Sequence, residues 1–105
     1  MSNLNVNEYG DVLRINMGED VSAATKLNFI FEPRLGDKKE IIAGVTVGTT
    51  DVTEDDETFL ANQYLEYTTL DGDLDFEGQW RIKGEATMSA TRKVISDYRT
   101  ISVLA

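Results

Sequence analysis

Apolar side chains recur at every second position in several short runs of this chain, the pattern of strands with one buried face. The clearest run is Thr25 to Glu32. There Leu27, Phe29 and Phe31 fall on one side and Asn28, Ile30 and Glu32 on the other. Asp11 to Met17 places Leu13, Ile15 and Met17 in phase, and Glu40 to Gly48 does the same with Ile41, Ala43, Val45 and Val47. Tyr64 to Leu70 opposes Leu65, Tyr67 and Thr69 to Tyr64, Glu66 and Thr68. Gly78 to Thr87 turns Trp80, Ile82 and Ala86 inward and Arg81, Lys83 and Glu85 outward. The last run, Arg92 to Val103, slips in phase: Val94 and Tyr98 share one parity, Ile101 and Val103 the other. One extra residue near Ser96-Asp97, a β-bulge, would return Val94 to the face of Ile101 and Val103.

The segments between these runs are rich in turn residues. Pro33 ends the second run because it cannot donate to a ladder, and Gly36-Asp37 follows as a turn. Asp51 to Glu57 holds five acids in seven residues and is expected to be a mobile tip. Thr58 to Gln63 fits either one helical turn or an irregular approach. Met88 to Thr91 reads as a short hairpin turn. Met1 to Tyr9 is polar and unpatterned, so residues 1–10 are expected to be a polar N-terminal arm that orders on contact, with the domain at 11–105. The expected fold is all-β: an immunoglobulin-like β-sandwich of about seven antiparallel strands.

Composition narrows the chemistry. The 105 residues suffice for one domain with a single core. No run reaches the roughly 18 to 20 apolar residues that a membrane span needs, and the N-terminus carries no secretory leader pattern. The chain has no cysteine, so disulfides, thiolate metal sites and cysteine nucleophiles are excluded. It also has no histidine, which removes the commonest general base and transition-metal ligand. No cofactor is expected, and the chain reads as a non-enzyme. The formal charge is −9 and unevenly placed: eleven acids and no Lys or Arg lie between Glu40 and Trp80. After Trp80, Arg81, Lys83, Arg92, Lys93 and Arg99 face only Glu85 and Asp97. Such acidity argues against nucleic acid, which selects a basic stripe. Its simplest use is solubility; the other is docking of acidic on basic faces between subunits, through Asp51, Glu54, Asp55, Asp56, Glu57, Arg92 and Lys93.

Three constellations invite chemistry. Asp71, Asp73 and Asp75 alternate in the manner of calcium ligands, but the sixth and twelfth positions of such a loop are Phe76 and Ile82, where Gly and Glu are required. A tight reversal at Asp71-Gly72 is the preferred reading. Trp80 with Tyr64, Tyr67 and Tyr98 suggests an aromatic platform for a host-surface glycan. A core position is preferred, most strongly for Trp80 and less strongly for Tyr64 and Tyr98, for which an outside position is the alternative. Ser89, Thr91 and Lys93 resemble a Ser–Lys nucleophile pair, yet nothing supplies an oxyanion hole.

The order of signals across nearly the whole chain resembles a family of bacteriophage structural domains. These are the immunoglobulin-like N-terminal domains of upper baseplate proteins and related small virion proteins. The resemblance rests on GEDVSAATKLNFIFEP, on YLEYTTLDGDLDFEGQWRIKGEA and on the closing VISDYRTISV. Within the second stretch lies the family's corner, a Tyr followed by an acid four residues on, an acid two or three residues before a Gly and an aromatic two after it. Here these are Tyr67, Asp71, Asp75, Gly78 and Trp80. The baseplate proteins continue into long oligomerising segments; this chain ends at Ala105 and is expected to be a free-standing domain of that type. The resemblance implies a virion component, assembled in the host cytoplasm in many copies. It would dock on other virion proteins of the head, neck, tail or baseplate and either decorate them or hold a fibre, without contact to nucleic acid or membrane. The alternative is a binding module for host-surface glycan.

Overall fold

The alternating runs become strands, and two of them divide where the chain changes sheet or register. A computed structural model describes residues 3–33, 37–54 and 56–105. Among these there are eleven strands and no helix: β1 Asn3–Asn5, β2 Val12–Asn16, β3 Lys26–Pro33, β4 Lys39–Ile41, β5 Thr46–Val47, β6 Val52–Glu54, β7 Glu57–Phe59, β8 Tyr64–Thr68, β9 Gly78–Ser89, β10 Arg92–Ile95 and β11 Arg99–Leu104. Six of them make one sheet in the order β1-β11-β9-β3-β4, with β10 also paired to β9. A second sheet has the order β2-β8-β5, and β6 pairs with β7 alone.

The expectation of about seven antiparallel strands is therefore corrected twice. The count is higher because Glu40 to Gly48 and Arg92 to Val103 each hold two strands, and because β1, β6 and β7 form in segments read as arm and loop. Ile41 ends β4 in the large sheet, the chain turns at Gly44 with φ +81°, and β5 joins the small sheet. A left-handed residue ends a strand cleanly, and glycine takes that conformation without a Cβ clash. The second correction is that β1 runs parallel to β11, with Leu4 opposite Val103. Leu4 is 2% exposed within the core. The expected arm thus contributes, from residue 3 onward, a strand to the large sheet.

The phase slip in the last run has the cause the pattern suggested. Ile95 lies opposite Glu85 and Arg99 opposite Ile82, so four steps along the chain match three along β9. Ser96 bridges the interval: its N–H donates to the Gly84 carbonyl at 3.0 Å, and Gly84 N–H donates to its Oγ at 2.9 Å. Val94, Ile101 and Val103 consequently share the core.

That core lies where the large sheet's Phe29, Phe31, Trp80, Ile82 and Ala86 meet the small sheet's Leu13, Ile15, Leu65 and Tyr67. The Tyr67 ring sits 5.7 Å from Phe29 and 6.0 Å from Phe31, centroid to centroid, and Trp80 meets Phe31 edge-on at 6.0 Å. These are separations at which aromatic pairs attract. Tyr64 points to the other face of the small sheet and is also buried, 1% exposed, because Phe59 of β7 packs against it at 5.6 Å. Its hydroxyl donates to Thr50 O at 2.8 Å. Tyr64 is thus inside, in a second small apolar cluster with Phe59.

Gly84 allows the sheets to approach. A Cβ there would lie 2.7 Å from Leu65 Cδ1 and 3.0 Å from Met17 Sδ. We expect Gly84→Ala to lower unfolding free energy in urea by about 1–3 kcal/mol, the usual cost of overpacking. In a double-mutant cycle with Leu65→Val, which removes the obstructing δ carbons, the cost of the alanine should shrink. Additive losses would show that Leu65 is not the obstacle.

Candidate functional site

The corner between β8 and β9 carries the chain from the small sheet to the large one, and side-chain hydrogen bonds hold it at several points. Tyr67 is buried at the end of β8 and its hydroxyl donates to Asp73 Oδ2 at 2.5 Å. The same oxygen accepts the Leu70 N–H at 2.7 Å, and Asp73 N–H donates to Leu70 O at 3.0 Å. Burial, and then the Asp73 carboxylate, raise the Tyr67 phenol's pKa, so it stays a donor. At the far end Trp80, fully buried, donates its Nε1–H to Phe76 O at 3.1 Å. The corner residues expected from the pattern occupy different roles. Tyr67 and Trp80 are its two buried ends. Gly78 opens β9 with φ +124°. Asp75 is part of an ion pair. Asp71 is exposed, and Asp73 takes the tyrosine hydroxyl.

Lys39 of β4 sits beside two of the three aspartates considered as calcium ligands, Asp73 and Asp75. Its ammonium donates to Asp75 Oδ1 at 2.8 Å, Asp73 O at 3.2 Å and Gly72 O at 3.4 Å. It also lies 5.6 Å from the centre of the Trp80 ring. The oxygens of the reversal converge on a tethered cation supplied by the chain. Among the described residues no three His, Cys, Asp or Glu side chains are grouped as a metal site. Lys39 was not singled out in the sequence, because nothing in its local pattern separates it from a turn lysine.

The residues considered for docking are largely engaged within the chain. Arg14, on the outer face of β2, bridges Glu54 at 2.8 Å and Glu66 at 3.0 Å. Arg99 donates to Arg14 O at 3.0 Å, lies 3.6 Å from Glu57 and covers the Phe59 ring. Asn16 donates to Thr58 O at 3.1 Å. These contacts tie β6 and β7 down, so the expected mobile tip is a strand pair over β2, with Asp56 in the left-handed conformation at φ +63°. Asp51 accepts the Ala61 N–H at 2.8 Å. Asp55 lies outside the described residues. Arg92 pairs with Glu19 and Lys93 with Glu85. Ser89 and Thr91 hydroxyls are 3.3 Å apart within the turn, while Lys93 faces Glu85.

The aromatic platform does not assemble. Trp80 and Tyr64 are inside. Tyr98 is exposed, but Arg81 and Lys83 lie over its ring at 4.3 and 4.9 Å, and its hydroxyl donates to Glu32 at 2.8 Å. The Tyr98 hydroxyl, and then Arg81, hold Glu32 below the usual carboxylate range.

A further pair was invisible in the sequence. Glu8 and Asp11 share a carboxyl–carboxyl hydrogen bond where the N-terminal segment meets the corner. Asp11 N–H donates to Thr69 Oγ1 at 3.1 Å, and its Oδ2 is buried without a partner. The bond to Glu8, then burial, push the Asp11 pKa up to about 6, and the same bond lowers that of Glu8.

A raised folded-state pKa means that Asp11 stabilises the fold when protonated, and that this contribution is lost as pH rises through about 6. Asn at this position keeps a donor for Glu8 and cannot ionise. Asp11→Asn should therefore melt close to wild type below pH about 4 and above it past pH about 6. A melting-temperature difference that stays flat across this window would remove the shared-proton pair.

No protein-family model, curated protein or solved structure matches this chain.

Proposed function

We propose that the chain is a non-enzymatic structural component of a bacteriophage virion, with the immunoglobulin-like sandwich as the finer description of its fold. It docks on other virion proteins of the head, neck, tail or baseplate in many copies and anchors a fibre there. The observation that carries this reading is the stretch from Tyr64 to Ala86. It holds the residues on which the resemblance to virion domains rests, and it is the segment that passes between the two sheets. The surrounding chemistry supports a scaffold. Most of the polar groups singled out for catalysis, metal or sugar, Asp73, Asp75, Ser89, Lys93 and Tyr98 among them, are engaged in hydrogen bonds and ion pairs within the chain. Among the described residues, seven Lys and Arg side chains, from Arg14 to Arg99, pair with carboxylates of the same chain.

The test is location. Gold-labelled antibody against the folded chain, applied to purified particles from a lysed host culture, should decorate fixed, symmetry-related positions. A chain found only in the soluble fraction, with bare particles, would sink the virion assignment.

A further inference from the structure

The end of the molecule at the corner joins apolar exposure to uncompensated negative charge. Residues 6–10 run against the corner along its length: Gly10 N–H donates to Thr69 O and Asn7 N–H to Leu74 O, both at 2.8 Å. The Gly10–Thr69 bond sets the backbone of Tyr9 next to that of Leu70, and Val6 and Phe76 line an open hollow of about 530 Å³ with Asp75 and Glu77. Tyr9 is 63% exposed, Leu70 62% and Phe76 47%. Such large apolar side chains are ordinary when scattered, but a group on one small face marks an interaction surface. The acids around them, Asp71 and Glu77, form no ion pair among the described residues; the cation of this region, Lys39, is held by Asp75.

We infer that this pole is a docking surface for a partner protein that presents Lys or Arg around an apolar side chain. Charge complementarity selects the partner. Anionic surfaces, lipid headgroups and nucleic acid included, are repelled by the carboxylates. A second copy fits poorly, because 19 acids outnumber 10 bases and most of those bases are already paired within the chain. The apolar side chains would supply the contact area and the carboxylates the steering and register. The inference rests on the docking reading above and specifies its partner; copies in one assembly would then be arranged by a shared cationic platform rather than by touching each other.

The test uses the whole chain, labelled with nitrogen-15, and three capped peptides: Lys-Leu-Lys-Phe-Lys, the charge-only Lys-Ser-Lys-Ser-Lys, and the acidic Glu-Leu-Glu-Phe-Glu. The first peptide should shift the amides of Tyr9, Leu70, Phe76 and Glu77 saturably, and the acidic one should not. Leu70→Ser with Phe76→Ser should weaken it about tenfold. Both side chains are exposed, so melting of the variant should match wild type and exclude unfolding as the cause. Raising salt from about 0.01 M to about 0.15 M should weaken binding further. Equal binding of the charge-only peptide, shifts spread over Asp20 and Asp56, or no saturable shift at all would overturn the assignment. Immunogold labelling reports separately: bare particles with the peptide result intact would end the virion reading and leave the surface in place.

Discussion

One strand has to serve two partners along a single edge, and most of the architecture follows from how it does so. β9 pairs with β3 over eight consecutive positions, Lys26 opposite Thr87 through Pro33 opposite Trp80. On its other edge the first half belongs to β11 and the second to β10. The extra residue between those two partners keeps Val94 in the same core as Ile101 and Val103. At the midpoint of β9, Gly84 binds Ser96 on the outside and gives way to Leu65 and Met17 on the inside. A side chain there would act on both the bulge and the contact between sheets, so the two features share one constraint. Trp80, near the start of the strand, then fixes where the crossing must end.

The electrostatic pattern changes meaning between sequence and structure. Along the chain the acids cluster before Trp80 and the bases after it, which suggests two opposed faces. In space, Arg14 comes from before the acidic stretch and Arg99 from after it, and both close on its carboxylates. The linear asymmetry becomes a set of cross-links that hold β6 and β7 over the small sheet. Exposed pairs of this kind contribute little each, roughly 0 to 1 kcal/mol. Arg14 is only 18% exposed in its side chain and holds two carboxylates at once. It also shares its carbonyl with Arg99, so these groups act together more than separate surface pairs would.

How much was legible follows from whether the signal is local. Period-two alternation located β2, β3, β8 and β9, since a half-buried strand writes its burial into adjacent residues. The bulge was legible because a slip in parity has few other causes. Three features were not. The division of Glu40 to Gly48 was hidden because Ile41, Val45 and Val47 stay in phase while the chain changes sheet. β1 offered one buried residue, Leu4, and a three-residue strand has no period to read. The fastening of Asp51 to Glu57 depended on Arg14 and Arg99, roughly forty residues away on either side, and acidic composition alone suggested a loose tip. At the corner, spacing named Tyr67 and an aspartate but pointed to Asp71, because which carboxylate reaches a hydroxyl depends on the turn's geometry rather than on its count.

That geometry also bears on how the corner could work as a contact surface. Binding through a loop normally costs the entropy of ordering it. Here the backbone from Thr69 to Phe76 is already restrained: by Tyr67 through Asp73, by Trp80 through Phe76 O, by Lys39 through three oxygens, and by residues 6–10 along one side. Leu74 is turned fully inward while Leu70 and Phe76 are left outward on the same frame. Fixed apolar side chains lose little freedom on contact, so even a small patch can retain much of its contact energy. The Glu8–Asp11 pair lies at the base of this frame. Thr69 accepts from Gly10 N–H at its carbonyl and from Asp11 N–H at its hydroxyl, so the N-terminal segment and the corner are fastened to each other directly beneath the exposed pole.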